Sequence, residues 1–190
     1  MAFSDRSANN DPSRQQLERW DSEIVWHAFT QMAEYEPLLI ERGDGCRLFD
    51  IEGREFIDAV SSLWCNLHGH HHPRIDAAIV EQLGRIAHTT SLGASNSTTV
   101  RLARRLVDLA PRGLDHVFFS DNGATAVEVA LKMAFQYWRQ RPDPRPAKTT
   151  YLALGDAYHG DTLGSVSVGG VARFHELFAP LLFDVKRVPA

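Results

Sequence analysis

Lysine is the scarce residue. Of 20 basic side chains only Lys132, Lys148 and Lys186 are lysines. Any chemistry that needs a lysine therefore has three candidates. Cysteine is rarer still: Cys46 and Cys65 stand apart, in no metal-like spacing. They read as two reduced thiols of a cytoplasmic protein. No run approaches the ~18 apolar residues of a membrane span. Residues 1–16 are polar and lack the apolar core of a secretory signal. An excess of positive charge is missing too. The net charge is −4 and the isoelectric point about 6.1, which argues against a broad nucleic-acid-binding face. What remains is 190 residues, 44% hydrophobic and 23% charged, an ordinary soluble globular composition of about one domain.

Residues 1–20 read as a flexible polar leader, and 20–35 are aromatic-rich without a clean period. Over 46–60, two apolar alternating runs flank Glu52-Gly53 and predict a β-hairpin. The spacing of Ile75, Ile79, Leu83 and Ile86 predicts a helix over 74–87. Val100, Ala103, Leu106 and Ala110 do the same for 97–110, with Ser97 as N-cap and Pro111 and Gly113 as terminators. Residues 116–119 predict a short buried strand, 124–140 a long helix, 151–154 and 185–188 two further strands. That alternation predicts an α/β architecture with a parallel sheet. So few strands would leave long unpaired edges, so the chain is expected to be the first part of a longer protein.

Four segments could carry chemistry. In VFFSDNGATA (117–126) an apolar run enters Ser120-Asp121-Asn122-Gly123-Ala124-Thr125 and then a helix. A helix N-terminus offers free N–H groups and a positive dipole end, which suit a phosphate. An ordinary turn capped by Asp121 or Asn122 reads equally well. GDAYHGDT (155–162) follows a strand, where loops line ligand crevices. Tyr158 could stack on an aromatic ligand, and His159 and Asp161 could hydrogen-bond; a plain polar turn is the alternative. SSLWCNLHGHHHP (61–73) holds His68, His70, His71 and His72. Neighbouring residues of an extended chain point to opposite faces, and no cysteine or carboxylate completes a ligand set, so no metal site is expected. Trp64 in the same segment fits an apolar pocket wall or core packing. The residue types leave the same choice open for Trp26 and Phe29 in WHAFT (26–30).

Taken together, these segments resemble the class III, fold type I aminotransferases that depend on pyridoxal phosphate. The resemblance runs from about Trp26 to the end. It rests on the order and spacing of WHAFTQM, SSLWCNLHGHHHP, SDNGATAVEVALKMAFQYW and AYHGDTLGSVSVG. Within the family it is closest to the branch of biotin synthesis that converts 8-amino-7-oxononanoate to 7,8-diaminononanoate.

The resemblance implies three parts: the leader (1–20), an N-terminal small-domain segment with the hairpin (21–65), and an incomplete large cofactor-binding domain (66–190). Gly123 and Ala124 would hold the cofactor phosphate through backbone N–H groups, with Asn122 beside them. Tyr158 would stack on the pyridine ring and touch substrate, supported by His159 and Asp161. Trp64 would wall the acceptor pocket. Family members often carry Pro-Tyr where this chain has Ala28-Phe29. Phe29 can stack on a donor but has no hydroxyl to donate, so the implied donor is adenosylmethionine or lysine. A cytoplasmic homodimer is implied as well.

A transaminase also needs a lysine that links covalently to the cofactor and moves the proton, and an acid facing the pyridinium nitrogen. Both lie in the second half of family members. Lys132 stands nine residues past Gly123, ~13.5 Å along the helix axis, and neither Lys148 nor Lys186 sits in a motif. The chain is therefore expected to lack its catalytic lysine and to be inactive alone. The alternatives are another class III ω-aminotransferase, acting on ornithine, a polyamine or a β-amino acid, and a non-catalytic fragment that binds a phosphate ligand or a partner.

Overall fold

The computed structural model describes residues 11–190, apart from the side chains of Phe174 and His175. The chain forms two compact units, which divide between Ala94 and Ser95.

The first unit opens with helix α1 (Arg14–Ile24), which Ser13 caps by accepting from the Gln16 N–H. The expected polar leader is thus helical from Arg14 on; residues 1–10 lie outside the described residues. Ion pairs one turn apart, Arg14–Glu18 and Arg19–Glu23, support a helix with only three apolar residues, Leu17, Trp20 and Ile24. After a 3-10 turn (Met32–Glu34) come β1 (Ile40–Asp44), β2 (Arg47–Asp50) and β3 (Glu55–Ile57). They form an antiparallel sheet in the order β1-β2-β3, so the hairpin gains a third strand.

Asp50, 4% exposed, builds the expected turn. Its carboxylate accepts from the Glu52 and Arg54 N–H groups and from the Arg54 guanidinium, while Gly53 takes the positive φ of 80°. These donors hold the Asp50 carboxyl below the usual carboxylate range against the opposing effect of its burial.

Next comes α2 (Ser61–Trp64), a single left-handed turn. Ser61, Ser62, Leu63 and Trp64 have φ of 50°, 48°, 61° and 70°. Helix α3 (Pro73–Leu83) follows with Pro73 in its first turn. It stops before Gly84, four residues short of the predicted end.

The second unit holds α4 (Ser97–Leu109), α5 (Gly123–Gln140), β4 (Tyr151–Leu154), α6 (Leu163–Val168), α7 (Ala172–His175), a 3-10 segment (Glu176–Leu181) and β5 (Val185–Val188). Asn96 rather than Ser97 caps α4; its side chain accepts from the Thr99 N–H at 2.9 Å. β4 and β5 pair in parallel, from Tyr151↔Val185 to Leu154↔Val188.

The strand predicted over 116–119 is absent, because no strand of the described residues pairs with it. An apolar run becomes a strand only when a neighbour takes its N–H and C=O groups. Phe118 and Phe119 are exposed. The buried centre is α6, where Gly164–Val168 are all buried and Ser165 is 0% exposed. Helices α3, α4 and α5 bury none of their residues. Among the described residues no helix is long and apolar enough to cross a membrane.

Candidate active site

The site grows from the first turn of α5. Asn122 and Thr125 form a reciprocal capping box. The Asn122 side chain accepts from the Thr125 N–H at 3.0 Å, and the Asn122 N–H donates to Thr125 Oγ1 at 3.1 Å. Ser120 donates to the same Oγ1 at 2.6 Å. The ordinary capped turn is therefore present, with Asn122 as the cap, and it leaves something over. A helix start has four N–H groups without intrahelical partners. The box satisfies those of Asn122 and Thr125. Among the described residues neither the Gly123 nor the Ala124 N–H has a hydrogen-bond partner. A Cβ on Gly123 would meet nothing within 4 Å, so the space beside Gly123 is open. Two free N–H groups at the positive end of an 18-residue helix fit a phosphate.

The loop after β4 closes on this turn. Gly160, with φ +107°, lies so near Ala124 that an added Cβ would stand 2.5 Å from the Ala124 Cβ. Ser165 Oγ donates to the Ala124 carbonyl at 3.1 Å. One turn further along α5, Glu128 Oε1 accepts from Thr162 Oγ1 at 2.6 Å and from the Gly164 N–H at 2.8 Å. The loop is thus tied to α5 from Gly160 to Ser165.

Tyr158 and Asp161 stand in this loop, the phenol donating to Asp161 Oδ2 at 2.5 Å. That hydrogen bond, then burial, pushes the phenol above its ordinary value. Tyr158 is half-exposed, and His159, next to it, is half-buried. Asn122, Gly123, Ala124, Tyr158, His159 and Asp161 therefore all belong to the second unit. Thr125, which sequence reasoning named without a role, and Glu128, Gly160 and Ser165, which it missed, complete the arrangement. Their signal was the density of small and polar residues in SDNGATAVE and HGDTLGS.

Trp64 and Phe29 belong to the first unit, exposed at 80% and 88%. Both have positive φ, 70° and 52°. Bulky residues hold such values only where surroundings impose them, at roughly 1–3 kcal/mol each. Segment 26–35 is fastened to α1 by Asp21, which accepts from Tyr35 OH at 2.7 Å and contacts His27 Nε2 at 3.1 Å.

The histidines go separate ways. His70 pairs with Asp58, His71 with Asp76, and the His68 and His72 rings meet edge-on at 6.0 Å. Among the described residues no group of three or more His, Cys, Asp or Glu could hold a metal. Lys132 and Lys186 line a cavity of about 1130 Å³ with Tyr151 and Phe183. Lys148 caps the Trp138 ring at 4.1 Å.

The class-III aminotransferase family model matches residues 30–190. The chain belongs to the class-III aminotransferases. It is 50% identical over 177 residues to the adenosylmethionine-8-amino-7-oxononanoate aminotransferase of Aquifex aeolicus, covering 92% of this chain and 39% of that protein. The crystal structure of the enzyme of that name from Methanocaldococcus jannaschii superposes with a TM-score of 0.87 at 46% identity, covering 94% of this chain and 41% of that one. An amine transaminase from an uncultivated Pseudomonas species, solved in its PLP-bound form, gives 0.76 at 34%, covering 88% and 38%. The fold is that of the fold type I, pyridoxal-phosphate-dependent transaminases, and family membership implies that cofactor. The chain spans about two fifths of the length of these relatives.

Proposed function

We propose that the protein to which these residues belong is a pyridoxal-phosphate aminotransferase that converts 8-amino-7-oxononanoate to 7,8-diaminononanoate in biotin synthesis. The reading rests above all on the pair of free N–H groups, Gly123 and Ala124, that the Asn122–Thr125 box leaves at the start of α5. These are the residues that family resemblance assigns to the cofactor phosphate. Pyridoxal phosphate, when bound, supplies the carbon that takes an amino group from one substrate and yields it to the next.

The chain's own residues bind and orient. Gly123 and Ala124 donate to the phosphate, and the α5 dipole adds to their attraction for its charge. Tyr158 would stack on the pyridine ring and touch substrate, its hydroxyl fixed by Asp161, with His159 in support. Trp64 gives the acceptor's aliphatic chain an apolar wall, and Phe29 gives the donor a ring to stack on. None of Lys132, Lys148 and Lys186 is assigned the proton-moving role. The enzyme works in the cytoplasm as a homodimer, by a ping-pong cycle.

Adenosylmethionine is the proposed donor. Phe29, with no hydroxyl to donate, favours lysine as the second reading, and supplying each donor in turn decides between them. Trp64→Ala tests the acceptor. It should raise the KM for 8-amino-7-oxononanoate more than it affects the donor half-reaction. Equal effects on both half-reactions would move the assignment to another ω-aminotransferase of the class.

A further inference from the structure

Trp64 ends a turn that its own sequence does not favour. Ser61, Ser62, Leu63 and Trp64 all lie in the left-handed region, which L-residues visit as single positions rather than in runs. Main-chain bonds within the turn, Trp64 N–H to Val60 and Cys65 N–H to Ser61, exist only once it has formed. Something outside the turn must select it.

Asp58 does so from the end of β3. Its Oδ1 accepts from the Ser62 N–H at 2.8 Å, and its Oδ2 accepts from Ser62 Oγ at 2.8 Å. The same Oδ2 contacts His70 Nε2 at 2.8 Å. The Asp58 side chain is only 4% exposed.

His70 is itself held on three sides. Its backbone exchanges two hydrogen bonds with Gly45, at 2.8 and 3.0 Å. Its ring packs where a Cβ on Gly43 would stand 2.6 Å from Cγ. The Asn66 side-chain nitrogen lies 3.2 Å from its Nδ1 and 3.5 Å from its Nε2, against the ring; the Asp58 carboxylate, an acceptor, takes its hydrogen bond from Nε2. The chain from Gly43 and Gly45 through His70 and Asp58 to Ser62 therefore runs from the β1–β2 hairpin to the turn that carries Trp64.

We infer that Asp58 and His70 are positioning residues for acceptor specificity: they hold Trp64 in the left-handed turn from which it meets the keto substrate. The inference rests on the reading of Trp64 given above, and its test separates the two.

The holoenzyme that carries this chain is labelled with 5-fluorotryptophan, and the Trp64 resonance is identified by its loss in Trp64→Phe. Asp58→Ala and Asp58→Asn are then compared by the 19F spectrum and by the two half-reactions. Asp58→Ala should shift or split the Trp64 signal and raise the acceptor KM at least tenfold, with the donor half-reaction within twofold. Asp58→Asn keeps an oxygen for the Ser62 N–H and should recover most of the acceptor KM. It carries the same comparison if Asp58→Ala does not fold, His70→Phe then supplying the larger loss.

An unmoved Trp64 resonance would overturn the inference. So would a loss shared equally by both half-reactions, the mark of a merely structural role. If the resonance moves but Trp64→Ala leaves the acceptor KM unchanged, Asp58 holds the turn and the acceptor assignment of Trp64 is what fails.

Discussion

Gly160 lies against Ala124 so closely that a Cβ on the glycine would stand 2.5 Å from the alanine Cβ. This approach joins the loop bearing Tyr158 to the helix turn bearing the two free N–H groups. The loop has φ +107° at this point, a region closed to side chains, so two independent conditions ask for glycine here.

Gly160→Ala should therefore destabilise the protein by more than about 1 kcal/mol and weaken pyridoxal phosphate binding. Gly123→Ala makes the useful contrast. Its Cβ meets nothing in the protein, and alanine suits a helix better than glycine, so the fold should keep its melting temperature. The Cβ would instead stand beside the Gly123 N–H, where the phosphate is proposed to bind. Cofactor titration and thermal unfolding of both variants check this: affinity should fall in both, stability in Gly160→Ala alone.

Removing the cap separates stability from binding in another way. Asn122→Ala leaves the Thr125 N–H without its acceptor and should cost about 1 kcal/mol by denaturant unfolding. Asn122→Asp retains the acceptor oxygen and should recover that loss. It also places a negative charge next to the phosphate, so cofactor affinity should fall.

Glu128 is the tie between α5 and α6. Glu128→Ala strips an acceptor from the Gly164 N–H and the Thr162 hydroxyl, which should cost about 1–3 kcal/mol. Amide hydrogen exchange should rise first at the start of α6.

The Tyr158 phenol is raised above its ordinary value by its bond to Asp161. A group raised on folding contributes stability that is full below its unfolded value and is lost as pH rises through the folded one. Alkaline titration followed by phenolate absorbance should therefore show late ionisation from Tyr158 and from Tyr35, whose phenol is raised in the same way by its bond to Asp21. Asp161→Asn should bring Tyr158 back toward its ordinary value, near 10. An unchanged midpoint in that variant would remove Asp161 as the cause.

Much of this site was legible in the sequence, and the illegible parts share a reason. The Asn122-Gly123 step stood out because an apolar run ended in small and capping residues at the head of a long periodic segment. Helix α1 did not, because its three apolar residues, Leu17, Trp20 and Ile24, are sparse in a polar stretch, and charges a turn apart add to its support. The run 116–119 looked like a strand, yet a strand depends on a neighbour that no local pattern reveals. The left-handed turn at Ser61–Trp64 was hidden for the same cause. Nothing in Ser-Ser-Leu-Trp favours positive φ, and the groups that impose it, Asp58 and His70, reach it through space. His70 was legible only as one member of a histidine cluster.

The most direct test is amino transfer itself. The cofactor-loaded protein that carries this chain is given 8-amino-7-oxononanoate with adenosylmethionine, then with lysine, and the product is read by mass spectrometry. Formation of 7,8-diaminononanoate with either donor is the predicted result. A protein that binds pyridoxal phosphate but forms no such product with either donor would contradict the account.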